Sequence, residues 1–182
     1  MPVKPNPKSG NFKYSKPMTR GIDVTVAAIV ESRGRFLMVE ERAGSGNLVL
    51  NQPAGHLERG ESLPAAVIRE TLEETGHRFD PEHVVGFYLW NSREADTTYL
   101  RVAFCGTVEP SADVAALDEA VVAVHWLTRA QLVSRAHQLR SPMVMRCIDD
   151  YLKGQRYPLD CLTYLESKTV NLDDTATLLV GC

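Results

Sequence analysis

The sequence predicts an α/β domain with a central mixed β-sheet and helices on both sides of it. Alternation of apolar residues over 22–28, 97–108 and 121–127 is typical of strands. Helical spacing of apolar residues over 63–75 and 141–154 indicates two amphipathic helices. Because these elements follow no strict strand–helix–strand rhythm and no repeat, a mixed sheet is favoured over a parallel one.

Composition and charge bound the class of protein. The chain has 182 residues, 44% of them hydrophobic, and a formal net charge of -3. This length supports one domain with its own core. The mild acidity provides no basic surface for nucleic acid. No run approaches the roughly 18 apolar residues that span a bilayer. We therefore expect neither nucleic-acid nor membrane partners.

The four cysteines and the two ends of the chain complete this outline. The cysteines are widely spaced without a C-x-x-C pair, so we expect reduced thiols in a cytoplasmic protein rather than zinc or disulfides. Residues 1–19 are basic and proline-rich, which favours a disordered lead-in, with a weak docking arm as the alternative. The domain is then expected at 20–160, followed by an extension of uncertain order at 161–182.

The remaining elements are placed by turn and cap residues. A turn near Ser32–Gly34 should join the first two strands into a hairpin. The loop "AGSGN" is not a P-loop, because no G-K-[ST] follows it. Another strand is predicted at 84–92 and a short helix at 128–134. In the last helix the core-facing positions are Val144, Cys147, Ile148 and Tyr151.

The helix at 63–75 separates apolar from acidic positions. Ser62 can cap it, Pro64 suits its first turn and Gly76 ends it. At about 100° per residue, one side carries the residues expected to face the core. These are Ala65, Ile68 and Leu72, with Glu70 and Glu74 roughly opposite.

Three glutamates on this one helix need a counter-charge. Glu70, Glu73 and Glu74 repel one another by about 0.2–0.5 kcal/mol per pair when solvated, and by more when partly buried. A single basic residue, Arg69, cannot neutralise all three. Mg²⁺ prefers carboxylate oxygens and is commonly completed by substrate phosphates. The alternative is an ordinary solvated acidic face.

The spacing of the acidic segment distinguishes these two interpretations. Within "GHLERGESLPAAVIRETLEETGH" it fixes seven positions, namely Gly55, Glu61, Arg69, Glu70, Glu73, Glu74 and Gly76. This pattern resembles the Nudix box of hydrolases that act on nucleoside diphosphates linked to another moiety. Thr71 and His77 stand where the family usually has bulky aliphatic residues, which affects packing rather than chemistry.

The resemblance extends beyond the box. "NQPAGHLE", "LRSPMV" and "GQRYPLD" are similar to the NudJ group of Nudix phosphatases, over about residues 21–162. The resemblance implies an α/β/α sandwich around a mixed sheet. It also implies Mg²⁺, for which Mn²⁺ can substitute.

Residue roles follow from the resemblance. It implies metal ligation by Glu70, Glu73 and Glu74 and by the Gly55 carbonyl. Glu61 would assist proton transfer or lie outside the ligand shell, and Arg69 would orient the carboxylates. Glu70 is our first choice of general base. An extra acid, Asp118 or Glu119, is expected from the loop before the strand at 121–127, with a solvated turn as the alternative.

Substrate contacts are predicted from strand direction and motifs. Tyr99 and Arg101 should share one face of their strand, with Arg101 as a phosphate clamp or a structural ion pair. Trp90 is a candidate for stacking on a base, or a core residue. Arg140 and Arg156 lie in motifs of the NudJ group, whereas Ser141 can simply cap the last helix. His56 is expected to be structural, because nitrogen ligands suit Mg²⁺ poorly.

The resemblance implies a Mg²⁺-dependent hydrolase of phosphoanhydride bonds. Expected substrates are nucleoside tri- and diphosphates, with phosphate released, and the hydroxymethylpyrimidine pyrophosphate precursor of thiamine. One alternative is a pyrophosphatase of ADP-ribose, dinucleotide polyphosphates or oxidised nucleotides. A second is a non-catalytic nucleotide-binding module. The expected partner is a small-molecule substrate, and the protein is expected to be a monomer or a homodimer.

Overall fold

The computed structural model describes residues 21–44, 46–111 and 117–166. Its strands are β1 (Ile22–Ile29), β2 (Glu31–Ser32), β3 (Arg35–Arg42), β4 (Leu48–Asn51), β5 (Ala54–His56), β6 (His77–Ser92), β7 (Thr97–Pro110), β8 (Val121–Thr128) and β9 (Tyr157–Pro158). Its α-helices are α1 (Leu63–Thr75), α2 (Arg129–Ser134) and α3 (Pro142–Leu152), and short 3₁₀ turns lie at Ala136–Gln138 and Leu159–Cys161. The predicted lead-in at 1–19 and the extension from 167 lie outside the described residues.

The strands form two sheets. The larger has the order β5-β1-β7-β6-β9, in which β1 runs parallel to β7 and every other pair is antiparallel. In the smaller sheet β3 pairs with β2, β4 and β8. The mixed sheet predicted from the sequence is confirmed.

The predicted first hairpin forms only in part. Its turn falls at Arg33 and Gly34, whose φ angles are 52° and 74°, and it connects β2 to β3. The longer β1, however, belongs to the other sheet, between β5 and β7. β1 and β3, although close in the sequence, therefore belong to different sheets. The periodicity within each strand does not reveal this.

Helix α1 begins and ends where its cap residues predict. The Ser62 hydroxyl accepts a hydrogen bond from the Ala65 amide at 3.2 Å. Gly76 adopts the left-handed conformation with φ of 70°, and its amide donates to the Leu72 carbonyl. This conformation favours glycine at the end of a helix.

The predicted core-facing side of α1 is wrong. Ala65 is exposed and both Ile68 and Leu72 are only half-buried. The buried positions are instead Ala66, Val67, Thr71, Glu74 and Thr75. The threonine hydroxyls donate to the carbonyls of Val67 and Thr71, so they satisfy their hydrogen bonds within the helix and pack like small apolar groups. Glu74 therefore lies on the buried side rather than opposite it.

The two longer helices cover opposite faces of the larger sheet. Ala103 and Cys105 pack with α3, whereas Val102 and Phe104 pack with α1. Because successive side chains of a strand point to opposite faces, α1 and α3 lie on either side of the sheet. The prediction of helices on both sides is confirmed.

Helix α3 follows its apolar periodicity. Val144, Cys147 and Ile148 are fully buried, and Tyr151 packs partly buried against the same cluster. The stripe predicted from the sequence is therefore confirmed.

Strand β6 is longer than predicted. It starts at His77 rather than at Val84 and contains irregular pairing between Pro81 and His83 and between Val84 and Gly86. Charged residues and a proline hide this first half from a periodicity argument. Within the described residues, none of the helices is both long and apolar enough to cross a lipid bilayer.

Candidate active site

A cleft of about 650 Å³ lies where α1 approaches β5, the edge strand of the larger sheet. It brings together most of the residues singled out from the sequence. The predicted site residues on its wall are Gly55, Arg69, Glu70, Glu73, Glu74, Trp90, Tyr99, Arg101, Asp118 and Arg140. Glu61, Glu119 and Arg156 are not among the residues that line it.

Strand register places the sheet side of the cleft. Arg101 on β7 is paired with Thr25 on β1, and Tyr99 is paired with Trp90 on β6. Since Tyr99 and Arg101 are two residues apart, they share a face, as predicted from the strand. The rings of Trp90 and Tyr99 stack with centroids 5.7 Å apart and an interplanar angle of 20°. A planar aromatic surface thus borders the cleft.

Helix α1 can approach β5 closely because Gly55 has no side chain. A Cβ atom at Gly55 would overlap the carboxylate of Glu70. One turn further, the Glu74 carboxylate accepts a hydrogen bond from the Ala54 amide at 2.8 Å. Two acidic side chains of α1 are therefore held against the strand that ends at His56.

Burial makes the Glu74 carboxyl an unusually weak acid. Glu74 is 5% exposed, and this desolvation raises its pKa to about 9. The hydrogen bond from Ala54 lowers the pKa in part, whereas the charges of Glu41, Glu70 and Asp118 raise it further. Burial also raises the pKa of Glu70, and Arg69 opposes that shift. The helix thus presents acids whose ionisation needs a nearby positive charge.

Arg69 links the carboxylates of the box. Its guanidinium binds both oxygens of Glu61, at 3.1 and 2.8 Å, and also reaches Glu70 at 2.8 Å and Glu73 at 3.1 Å. A fifth bond goes to the His56 carbonyl at 3.0 Å. The hydrogen bond to Glu61 raises the pKa of Arg69 and lowers that of Glu61. This geometry suits the orienting role that the resemblance implies for Arg69.

A buried polar network also lines the cleft. Glu41 accepts a hydrogen bond from the Asn51 side-chain amide at 3.2 Å. It also forms an ion pair with Arg140, at 3.2 Å. Arg101 donates to Gln52 at 3.2 Å and to the Asn51 oxygen at 3.5 Å. The network therefore fixes two guanidinium groups beside the cleft.

Sequence reasoning missed three members of this network. Glu41, Asn51 and Gln52 are 8%, 2% and 1% exposed, which is unusual for such polar residues. Glu41 lies near the end of β3 between charged residues, and no motif marks it. The other two lie in "NQPAGHLE", where the resemblance assigns no role to either side chain.

The predicted role of Arg101 stays a prediction. It is 5% exposed, and burial lowers its pKa. Two of its nitrogens donate to amide oxygens rather than to a carboxylate. The structural ion pair considered for Arg101 is not among the salt bridges of the described residues.

Three other predicted residues take positions that bear on their roles. Arg156 lies over the ring of Tyr151 at 3.9 Å and donates to its carbonyl, away from the cleft. Ser141 stands at the N-cap position of α3, as predicted, but its side chain makes no capping hydrogen bond and only its carbonyl accepts from the Val144 amide. Of the two loop acids, Asp118 lines the cleft and its amide donates to the Glu73 carbonyl at 2.9 Å.

Sequence comparison agrees with this geometry. Residues 19–147 match the NUDIX domain, which is more than half of the chain. The chain belongs to the Nudix family. It is a hydrolase acting on phosphorus anhydrides, and the fold class and family expected from the box are both confirmed.

Relatives of this Nudix protein include curated and structurally solved proteins. The Phosphatase NudJ of Escherichia coli K12 is 39% identical over 139 residues, which cover 76% of this chain and 89% of that protein. A NUDIX hydrolase from Nitrosomonas europaea has 44% identity and a TM-score of 0.78, covering 81% of this chain and all of the other. The likeness to the NudJ group is therefore confirmed.

A more distant neighbour shares the fold alone. It is a bifunctional NMN adenylyltransferase/ADP ribose pyrophosphatase from Francisella tularensis, complexed with AMP and a manganese ion. Its identity is 20% and its TM-score 0.61, covering 74% of this chain and 42% of that one.

Nudix hydrolases generally use divalent metals, and the chemistry of this cleft fits such an ion. As placed, the described His, Cys, Asp and Glu side chains form no group of three that could hold a metal ion, and the guanidinium of Arg69 joins the carboxylates instead. The donors are all oxygen, and Glu74 is buried beside further acids without a cationic partner of its own among the described salt bridges. A hard divalent cation would relieve that repulsion.

Proposed function

We propose that this Nudix protein is a Mg²⁺-dependent hydrolase of nucleoside tri- and diphosphates that releases phosphate. The pyrophosphate of the hydroxymethylpyrimidine precursor of thiamine is a further proposed substrate, and Mn²⁺ is proposed to replace Mg²⁺. Similarity to NudJ phosphatases over 89% of their length supports the reaction class.

One observation carries the proposal. A single cleft is lined by carboxylates of α1, by a stacked aromatic pair and by guanidinium groups. The carboxylates suit a cation, and the aromatic pair and the guanidinium groups suit a ring and its phosphates. A molecule joining a planar ring to a pyrophosphate matches both sets of residues.

The proposed metal ligands are Glu70, Glu73, Glu74 and the Gly55 carbonyl. When bound, a divalent cation neutralises phosphate oxygens and lowers the pKa of a water molecule. Binding requires Glu74 to release its proton, because burial otherwise keeps it protonated. Arg69 already holds Glu70 and Glu73 from one side and so limits their rotation.

The general base and the substrate contacts are assigned to other side chains. Glu70 is our first choice to accept the proton of the attacking water, since its raised pKa makes it a stronger base than a solvated carboxylate. Asp118 is the alternative base, favoured over Glu119 by its place on the cleft wall. Arg140, whose side chain is 45% exposed, is proposed to bind the phosphates and Trp90 with Tyr99 the ring. Arg156 has no proposed contact with substrate.

A phosphate-release assay over a panel of substrates tests this proposal. The panel contains nucleoside tri- and diphosphates and hydroxymethylpyrimidine pyrophosphate, each with Mg²⁺, with Mn²⁺ and with chelator. We expect release of single phosphates that needs the cation. The absence of cleavage of every compound with either metal would contradict the assignment.

Product analysis distinguishes the alternatives. Hydrolysis of ADP-ribose gives two monophosphates, and hydrolysis of a dinucleotide polyphosphate gives two shorter nucleotides, instead of single phosphate. These compounds belong in the same panel. A non-catalytic module would bind nucleotide without products, but all four box glutamates are present here. The cytoplasmic location, and a monomeric or homodimeric state, remain parts of the proposal.

A further inference from the structure

Glu41 is a buried acid at an irregular point of β3. It opposes Val121 on β8, whereas the residue before it opposes Ala123. Val122 is therefore the additional residue of a β-bulge, a feature that redirects side chains and is common beside active sites. Glu41 lines the cleft and is 8% exposed. Stability alone does not explain a carboxylate at this position, because burying a charged group costs free energy.

Both oxygens of the Glu41 carboxylate have partners. Oε1 accepts a hydrogen bond from Asn51 Nδ2, and Oε2 forms the ion pair with Arg140 Nη1, each at 3.2 Å. The side-chain oxygen of Asn51 accepts from the guanidinium of Arg101 at 3.5 Å, which leaves the amide nitrogen of Asn51 to donate to Glu41. An ordered series of contacts therefore leads from Arg101 to Arg140.

Arg140 is fixed at its backbone and at one nitrogen of its side chain. Its amide donates to the Leu50 carbonyl at 2.9 Å, beside the bridge between Leu50 and Leu139. Its side chain is 45% exposed and lines the cleft. The ion pair with Glu41 uses Nη1, and a guanidinium carries further N–H donors in a rigid plane. These donors can bind phosphate oxygens while the ion pair persists.

The geometry distinguishes three roles for Glu41. A metal ligand would have to release Asn51 or Arg140, because both carboxylate oxygens are engaged. A competitor of the phosphates would have to withdraw Arg140 from the cleft, but Arg140 lines the cleft while it is paired. A residue that orients Arg140 requires neither change.

We infer that Glu41 is a positioning residue, which holds Arg140 in the orientation that binds the substrate phosphates. This inference rests on the proposed function, in which Arg140 binds those phosphates. A side chain that is already held loses less conformational entropy when it binds, so the affinity is higher. Because the contact is with phosphate, the gain is the same for every ring that the substrate carries.

Glu41→Gln tests the inference in the intact protein with Mg²⁺. The variant keeps the shape of the side chain but offers one acceptor oxygen in place of two, so Asn51 and Arg140 cannot both stay bound. We expect KM to rise about 5-fold for every nucleotide that the wild-type protein hydrolyses, and kcat to change less than about 2-fold. An unchanged KM would overturn the inference, and a lower KM would show that Glu41 competes with phosphate.

Glu40→Gln is the matched control on the same strand. Glu40 also binds a basic residue with each oxygen, His125 at 3.0 Å and Arg135 at 3.4 Å, but it does not line the cleft. Its loss should leave KM and kcat unchanged. An equal rise of KM in both variants would indicate a general disturbance of β3 and would overturn the inference. Thermal unfolding of the two variants compares their stability.

A double-mutant cycle tests whether Glu41 acts through Arg140. Arg140→Ala should raise KM about 20-fold, because it removes charge-assisted hydrogen bonds to phosphate. Adding Glu41→Gln to Arg140→Ala should raise KM less than about 2-fold further, since a positioning residue has no effect without the residue it positions. A further rise of about 5-fold would contradict the inference. So would a clear rise, in Glu41→Gln alone, of the Mg²⁺ concentration that gives half-maximal activity, because it would identify a metal ligand.

Calorimetry with imidodiphosphate, which has no ring and resists hydrolysis, separates this inference from the proposed function. With Mg²⁺, Glu41→Gln should weaken the binding of imidodiphosphate and of the imido analogue of ATP by the same factor of about 5. Glu41→Asp, which keeps the charge but shortens the side chain, should show a similar loss. Wild-type affinity for imidodiphosphate in both variants, or a loss confined to the nucleotide, would overturn the inference whether or not any nucleotide is hydrolysed. Failure of the wild-type protein to bind imidodiphosphate would also overturn it.

Discussion

Helices α1 and α3 flank the same sheet but bury different kinds of residue. On α3, Val144, Cys147 and Ile148 follow the apolar spacing and are fully buried. On α1 the buried side includes Thr71 and Glu74, although more apolar residues are available on the same helix. Helix α3 also buries the Asp150 carboxylate, but this group is paired with Arg146 and Lys153. Glu74 on α1 has no such partner among the described salt bridges, so its burial carries a cost that the burial of α3 avoids.

The difference separates packing from function. Burying an ionisable group without an opposite charge is unfavourable, so its retention indicates that the helix contributes something other than stability. The comparison makes opposite predictions for equivalent changes on the two helices. Changes on α1 should reduce activity more than stability, and changes on α3 should do the reverse.

The largest expected effect is on α1. Glu74→Gln preserves the shape and the hydrogen bond from Ala54 but removes the negative charge. We expect phosphate release to fall at least about 100-fold, because the proposed cation loses a ligand. The unfolding temperature of the metal-free protein should not fall, since burial already favours the neutral form of Glu74. Steady-state kinetics and thermal unfolding measure the two effects.

Glu109→Gln, at an exposed position of β7, is the matched control for charge removal. It should retain wild-type turnover. Unchanged turnover in Glu74→Gln would mean that the acidic cluster is not the metal site.

The corresponding change on α3 should affect folding. Val144→Ala removes two buried methyl groups and leaves a cavity, which should lower the free energy of unfolding by about 2 kcal/mol. The rate per folded molecule at saturating substrate should change less than 2-fold. Chemical denaturation provides the free energy, and a loss of turnover without loss of stability would break the contrast between the helices.

A backbone position beside α1 should show a smaller effect on activity. In Gly55→Ala the new methyl group overlaps the Glu70 carboxylate, which must move away from its position between β5 and Arg69. We expect a loss of about 10-fold in kcat/KM and weaker metal binding. Gly21→Ala is the control, because a Cβ there contacts nothing within 4 Å. Equal activity of both variants would show that the position of Glu70 is unimportant.

Per pH unit, the smallest expected effect is a dependence of stability on pH. The pKa of Glu74 is raised in the folded state, so its protonated form favours folding. This contribution is fully present below the unfolded-state pKa of 4.5 and is lost as pH rises toward about 9. The metal-free protein should therefore lose about 1 kcal/mol of stability per pH unit within that window, near the limit for one proton.

Denaturation at a series of pH values checks this slope against Glu74→Gln, in which it should be flatter. Saturating Mg²⁺ should reduce the slope of the wild-type protein, because the cation favours the ionised carboxylate. Identical pH profiles for the two metal-free proteins would contradict the assigned origin.

The sequence predicted the structure most accurately where a local pattern alone determines it. The ends of α1 followed from Ser62 and Gly76, and the buried side of α3 followed from its spacing. The α1 side was wrong because apolar periodicity does not recognise that Thr71 satisfies its hydroxyl within the helix. The divergence of β1 from β3 depends on pairing with distant strands, which no local pattern encodes.

The candidate site was predictable where a motif marks it. The spacing from Gly55 to Glu74 marked Glu70, Glu73 and Glu74, which lie on one helix beside the cleft, whereas their metal ligation stays a prediction. The rest of the cleft lining was found only in part, since Glu41 and Thr25 join it through strand register and burial. Arg156 shows the converse, because a recognisable motif residue lies outside the cleft.

The loop acid Asp118 is anchored by the helix whose charges it faces. Its amide bonds the carbonyl of Glu73, and the amide of Ser111 bonds the carbonyl of Gly76. Ser111 and Asp118 are thus fixed to neighbouring points at the C-terminal end of α1. A displacement of this helix should therefore carry Asp118 along with the glutamates, so that the acids of the cleft keep their spacing when α1 moves.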